Sequence, residues 1–203
     1  MKNIFWKHCL SGLIAILTAV VFTGCAKMEK QTMAEGISPV IDQEGADPYV
    51  MKQGEWYYYT KTAGDRVILY RSDRLTNIAA GESCVLYEPV SELESLWAPE
   101  LFYLDDVWYV YFAAKVPGEP MHQMYVLSNE NADPFAGSWE CSPMAGMDDK
   151  FAIDGTVLEL ASGRYFIWSG WEGYENVRQD LYLAEMNSPT EVMEEKILLS
   201  VPE

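Results

Sequence analysis

Histidine, cysteine and basic residues are all scarce in this 203-residue chain. It has two histidines, four cysteines and 14 lysines and arginines against 31 aspartates and glutamates. The net charge of −17 leaves no basic face for phosphate, which argues against a nucleic-acid partner. The surplus acidity suits the solubility of an exported protein. Beyond the first 25 residues there is a single histidine, His122, and no paired Cys or His spacing. A zinc or transition-metal centre is therefore not expected. Helical periodicity is almost absent, so the architecture is expected to be all-β.

Long apolar runs are also lacking, with one exception. Cys9 to Phe22 follows the basic residues Lys2 and Lys7 and ends at Phe22-Thr-Gly-Cys25. This is the pattern of a secretory signal, too short at its apolar core for a comfortable membrane span. Cys25 after Thr-Gly resembles a bacterial lipoprotein cleavage site, which would make it the lipidated first residue of the mature protein. Ordinary signal cleavage nearby, leaving Cys25 free or lost, is the alternative. Residues 26–40 carry no strand pattern and read as a tether. The expected organisation is a signal over 1–25, a tether over 26–40 and a β domain over 41–203. Loss of the signal removes Lys2 and Lys7 and takes the net charge from −17 to −19. The expected location is outside the cytoplasm, with the membrane touched only through the anchor.

What the chain has in quantity is aromatic and β-branched residues in short runs, and these repeat. Asp47-Pro-Tyr-Val, Ala98-Pro-Glu-Leu and Asp154-Gly-Thr-Val each open a unit of four such runs. Turn signals at Gln53-Gly54, Asp105-Asp106 and Ser162-Gly163 separate the first two runs of each unit. Counted from acid to acid, the repeat places Asp47, Glu100 and Asp154 at one point, 53 and 54 residues apart. Four strands per unit of roughly 40 to 50 residues is the signature of propeller blades. A sandwich is the competing all-β fold, but it has no reason to repeat at this interval. Propellers close with roughly 4 to 8 blades, and this chain supplies three. The expectation is an incomplete ring, completed either by partner copies or by further chain of which this is a fragment; a complete ring would be a monomer. Cys84 and Cys141 fall on outermost strands of neighbouring blades. Bridging them would exceed the short Cα separation a disulfide tolerates, so two buried thiols are expected although export permits disulfides.

Four runs in order resemble glycoside hydrolase family 43, in its arabinofuranosidase and arabinanase branches. They are Gly45-Ala-Asp-Pro-Tyr-Val, Trp97-Ala-Pro-Glu-Leu with Trp108-Tyr-Val-Tyr-Phe-Ala-Ala, Phe151-Ala-Ile-Asp-Gly-Thr-Val-Leu, and Tyr165-Phe-Ile-Trp-Ser-Gly-Trp-Glu-Gly. The resemblance covers residue 40 to the end and implies a five-bladed propeller hydrolysing arabinose- or xylose-containing polysaccharides with inversion. It implies that Asp47 is the general base and Asp154 the acid that tunes and orients the proton donor. Inversion needs such a pair, with room for a water between base and sugar. A neighbouring carboxylate raises the donor's pKa by like-charge repulsion. Pro48 biases Asp47 towards an extended backbone, and Gly155 beside Asp154 allows close approach of another backbone or a sugar.

The departures from the family pattern matter as much. The family's proton donor is a glutamate on a later blade, and nothing here aligns with it. Glu203 sits on an outer strand by repeat position. The chain is therefore expected to lack the general acid and to be inactive alone. Five residues are candidate sugar contacts: Trp97, Glu100, His122, Trp168 and Trp171. Glu100 could instead brace a strand, and Trp97 could pack between blades. His122 could be a solvated loop residue, and Trp168 could belong to the core. Tyr57 to Tyr59 and Trp108 to Phe112 are expected in the core between blades. The expected ligand is a plant-type arabinan or arabinoxylan, with a β-xyloside as alternative substrate and a non-catalytic carbohydrate-binding or scaffold lipoprotein as alternative function. No cofactor is expected; the resemblance allows an axial calcium, held by oxygen ligands and waters, without establishing one.

Overall fold

The computed structural model describes residues 45–147 and 150–202. Cys25, the signal, the tether and Glu203 lie outside them. The described chain forms three four-stranded antiparallel sheets, each an uninterrupted meander. Blade 1 is β1 (Ala46–Gln53), β2 (Trp56–Thr62), β3 (Val67–Ser72) and β4 (Glu82–Tyr87). Blade 2 is β5 (Glu94–Leu104), β6 (Val107–Lys115), β7 (Gln123–Asn129) and β8 (Glu140–Pro143). Blade 3 is β9 (Ala152–Leu160), β10 (Gly163–Trp171), β11 (Gln179–Ser188) and β12 (Glu191–Ser200). The twelve runs read from the sequence are these twelve strands. A short 3-10 segment, Leu75–Ala80, was not foreseen; it plugs Ile78 into the interior of blade 1.

Strand β6 shows why the sheets stack in order. Trp108, Val110, Phe112 and Ala114 point to a core shared with Tyr58, Val67 and Leu69 of blade 1. Tyr111 and Ala113 point the other way, to a core shared with Phe166, Trp168 and Ala184 of blade 3. A strand buried on both faces needs large apolar residues at every position, and the run Trp108-Tyr-Val-Tyr-Phe supplies them. Each fully buried side chain of this size contributes about 1.5–3 kcal/mol. The hairpin joining β5 to β6 turns at Asp105-Asp106, both at positive φ (52° and 64°), as a two-residue turn matched to strand twist requires. At that turn Asp105 reaches Arg164 of blade 3, with N–O distances of 2.7 and 3.1 Å. Arg164 also holds Glu159 of its own blade at 2.9 Å. Among the described residues the two cysteines, Cys84 and Cys141, are free as expected but only half-buried, each packed against the first core.

The innermost strands carry the feature that shapes the site. In β1 the pairing runs from Ala46↔Thr62 to Tyr49↔Thr60. In β5 it runs from Trp97↔Ala113 to Glu100↔Tyr111, and in β9 from Ile153↔Ser169 to Thr156↔Ile167. Each strand gains one residue on its partner at the same place, which is a β-bulge. The residue after each break sits at positive φ: Asp47 at 53°, Ala98 at 47° and Asp154 at 54°. This corrects the acid-to-acid count. The true equivalents are Asp47, Ala98 and Asp154, whereas Glu100 is equivalent to Tyr49 and Thr156. Glu100 lies two residues past its bulge, so the count matched acids of different register.

Candidate active site

The bulges re-aim one side chain per blade, and in blades 1 and 3 that side chain is an aspartate. Both aspartates are exposed. The Oδ2 of Asp47 accepts a hydrogen bond from Thr62 Oγ1 at 2.6 Å. Partial desolvation raises the pKa of Asp154, and the charge of Asp47 raises it further. The two carboxylates therefore feel each other although 107 residues separate them in sequence. A pair of this kind lets one carboxylate take a proton while the other favours protonation near it.

Glu100 sits deeper. Burial raises its pKa, the side chain of Thr156 opposes that rise, and the charge of Asp154 adds to it. Its Oε2 is enclosed without a hydrogen-bond partner. Burial, with a smaller contribution from Glu100, pushes the Tyr49 hydroxyl up to about 12. Tyr49, Glu100 and Thr156 thus form a second layer beneath the bulge residues, one from each blade. This placement suits Glu100 to bracing strands more than to meeting a sugar.

The aromatic candidates divide in the same way. Trp97 is 37% exposed and stacks on the imidazole of His122, with centroids 3.6 Å apart and planes at 20°. His122 is not a solvated loop residue. It is 3% exposed, and its Nε2–H donates to the Ser95 carbonyl at 3.0 Å. Burial lowers its pKa, against the opposing effect of the Ser95 hydrogen bond, and so favours the neutral ring behind Trp97. The edge of His122 meets Phe151, and Phe151 stacks on Trp171 at 4.4 Å. Trp97, His122, Phe151 and Trp171 form one row from blade 2 to blade 3, of which Trp97 is the open end. Trp168 is a core residue, 5% exposed, packed on Phe166 and Tyr182. It borders a small cavity of about 50 Å³ that it shares with Phe151 and Trp171.

Sequence reasoning missed Thr62, Phe151 and Thr156. Phe151 lies inside a quoted motif, and Thr60 and Thr62 alternate along β2 with the period that puts both on one face. Gly155 does allow a close approach, but to the Phe166 ring and the Met124 methyl group rather than to a sugar or a backbone. No group of three or more His, Cys, Asp or Glu side chains able to hold a metal occurs among the described residues.

The family model for Glycosyl hydrolases family 43 matches residues 37–203. The chain belongs to this family. It is 33% identical over 175 residues to the extracellular exo-α-(1→5)-L-arabinofuranosidase of Streptomyces chartreusis, covering 82% of this chain and 53% of that protein. It is 26% identical to α-L-arabinofuranosidase 43 of Humicola insolens, covering 91% and 40%. The crystal structure of α-L-arabinofuranosidase from Lactobacillus brevis superposes with a TM-score of 0.75 at 28% identity, over 82% of this chain and 56% of that one. The chain spans about half the length of the relatives it matches. Its three sheets are blades of the family 43 propeller.

Proposed function

We propose that these blades form the base-and-modulator part of an exported α-L-arabinofuranosidase site that works with inversion. The observation that carries this reading is the pair of aspartates at equivalent bulges of blades 1 and 3, near enough for Asp47 to raise the pKa of Asp154. In the proposed reaction Asp47 takes a proton from water as the water oxygen bonds to the anomeric carbon. The glycosidic bond breaks on the opposite face, and its electron pair leaves with the departing oxygen. Asp154 tunes the group that protonates that oxygen. The names of the similar enzymes favour an arabinofuranosyl group over a xylosyl group. Trp97 offers its exposed face to the apolar side of a sugar, with neutral His122 bracing it from behind.

The proton donor is proposed to lie outside the described blades, because the equivalent bulge of blade 2 carries Ala98 and Glu100 is enclosed. That same observation supports a second reading, a lipoprotein that binds arabinan without cleaving it. The pattern of residues 1–25 supports export with a lipid anchor at Cys25, and the extracellular relatives favour export alone. The deciding experiment uses dinitrophenyl α-L-arabinofuranoside, whose leaving group departs without protonation. The enzyme reading predicts turnover that Asp47→Asn removes, with much slower release of arabinose from linear 1,5-arabinan. Calorimetric binding of arabino-oligosaccharides with no turnover of either substrate would favour the second reading.

A further inference from the structure

The bulge in β5 frees two backbone groups from their ladder, and two threonines of β2 meet both. Thr60 Oγ1 donates to the Pro99 carbonyl at 2.5 Å, and Thr60 is fully buried. The Ala98 N–H donates to Thr62 Oγ1 at 2.7 Å. A threonine hydroxyl has one proton to give. With the Ala98 N–H occupying a lone pair, that proton is directed to Asp47 Oδ2, 2.6 Å away. The chain of contacts runs from the backbone of blade 2 through a side chain of blade 1 to the carboxylate of Asp47. The register gives an internal comparison. The position of Thr62 is taken by Ala113 in blade 2, where the bulge residue is Ala98 and there is no acid to hold. In blade 3 it is taken by Ser169, whose Oγ accepts from Gln179 Nε2 at 2.7 Å.

We propose that Thr62 is a positioning residue that gives the two oxygens of Asp47 different tasks. It fixes Oδ2, so that Oδ1 is the oxygen presented to water, and it ties the orientation of Asp47 to the blade 1–blade 2 seam. A residue that only satisfied the Ala98 N–H would need the acceptor function of the hydroxyl and not its proton. This inference rests on the reading of Asp47 as general base, and its test has one arm that does not need turnover.

The test compares the wild-type chain with Thr62→Val and Thr62→Ser. The first arm records the carboxyl-carbon NMR resonance of Asp47, assigned by its loss in Asp47→Asn. Thr62→Val is expected to move that resonance and Thr62→Ser to keep it within the line width. The second arm measures turnover of dinitrophenyl α-L-arabinofuranoside. Misplacement of a reacting group by about 1 Å costs about 10²-fold, so Thr62→Val is expected to lower kcat by about 10- to 100-fold with KM within about twofold. Thr62→Ser is expected to restore most of kcat. An unmoved resonance in Thr62→Val, or a Ser variant as perturbed as the Val variant, overturns the inference. Turnover that survives Asp47→Asn overturns the base assignment instead, and the resonance arm then still decides whether Thr62 holds the carboxylate.

Discussion

Gly155 stands between Asp154 and Thr156, and adding one carbon there tests how the third blade holds its aspartate. A Cβ at 155 would lie 2.3 Å from Cζ and 2.8 Å from Cε1 of Phe166, and 2.6 Å from Cε of Met124. Ordinary carbon–carbon contact is about 3.5–4.0 Å. The Met124 methyl ends a flexible side chain and can swing aside. Phe166 is a ring fully buried between blades 2 and 3, and it has nowhere to go without moving its neighbours. Gly155 is not in the left-handed region, so Gly155→Ala carries no backbone penalty. Restricting the unfolded chain would by itself stabilise by about 0.4–1 kcal/mol. Overpacking costs about 1–3 kcal/mol and is expected to win. At roughly 2–4 °C per kcal/mol for a domain of this size, a net cost of about 1–2.5 kcal/mol should lower Tm by about 2–10 °C. The assay is thermal unfolding of Gly155→Ala, Phe166→Leu and the double variant, followed by near-UV circular dichroism. The double variant should be less destabilised than the sum of the singles by at least about 0.5 kcal/mol, because leucine opens the space the new methyl needs. A Gly155→Ala protein melting at or above the wild type, or strict additivity, refutes the reasoning.

Two further predictions concern charge. The pKa of Glu100 is raised in the fold, so the folded state binds more protons than the unfolded chain above the ordinary glutamate value of about 4.3. Its contribution to stability is fully present below that pH and is lost as pH rises through the raised value. Glu100→Gln should therefore flatten the fall in urea-unfolding stability from pH 4 to 7, and equal slopes in both proteins would contradict it. Arg164 bridges Asp105 and Glu159 with both acids largely exposed, so Arg164→Met should cost only about 0.5–1 kcal/mol in low salt and less in high salt. A loss of several kcal/mol by chemical denaturation would show that this link between hairpins matters more than its exposure implies.

The strands were legible because their signal is local. Each run alternates or is apolar on both faces, and the turn at Asp105-Asp106 carries its own chemistry. The two aspartates were legible as motif residues, but their shared geometry was not. A bulge adds one residue to one strand, and only the pairing shows where, which is why Glu100 looked equivalent to the aspartates. His122 follows a loop rich in Pro and Gly, yet tertiary packing under Trp97 buries it. Thr62 was invisible for a related reason. Its partners, Asp47 and Ala98, lie 15 and 36 residues away and meet it only because β5 packs beside β2.

The proposed role of Asp47 is to activate water for displacement at an arabinofuranosyl carbon. The most direct test is the anomer first released from dinitrophenyl α-L-arabinofuranoside, followed by proton NMR before mutarotation. Inversion with Asp47 as base predicts β-arabinofuranose first, in a reaction that Asp47→Asn slows by about 10²–10⁴-fold. The α anomer appearing first, or a rate unchanged by Asp47→Asn, would contradict it.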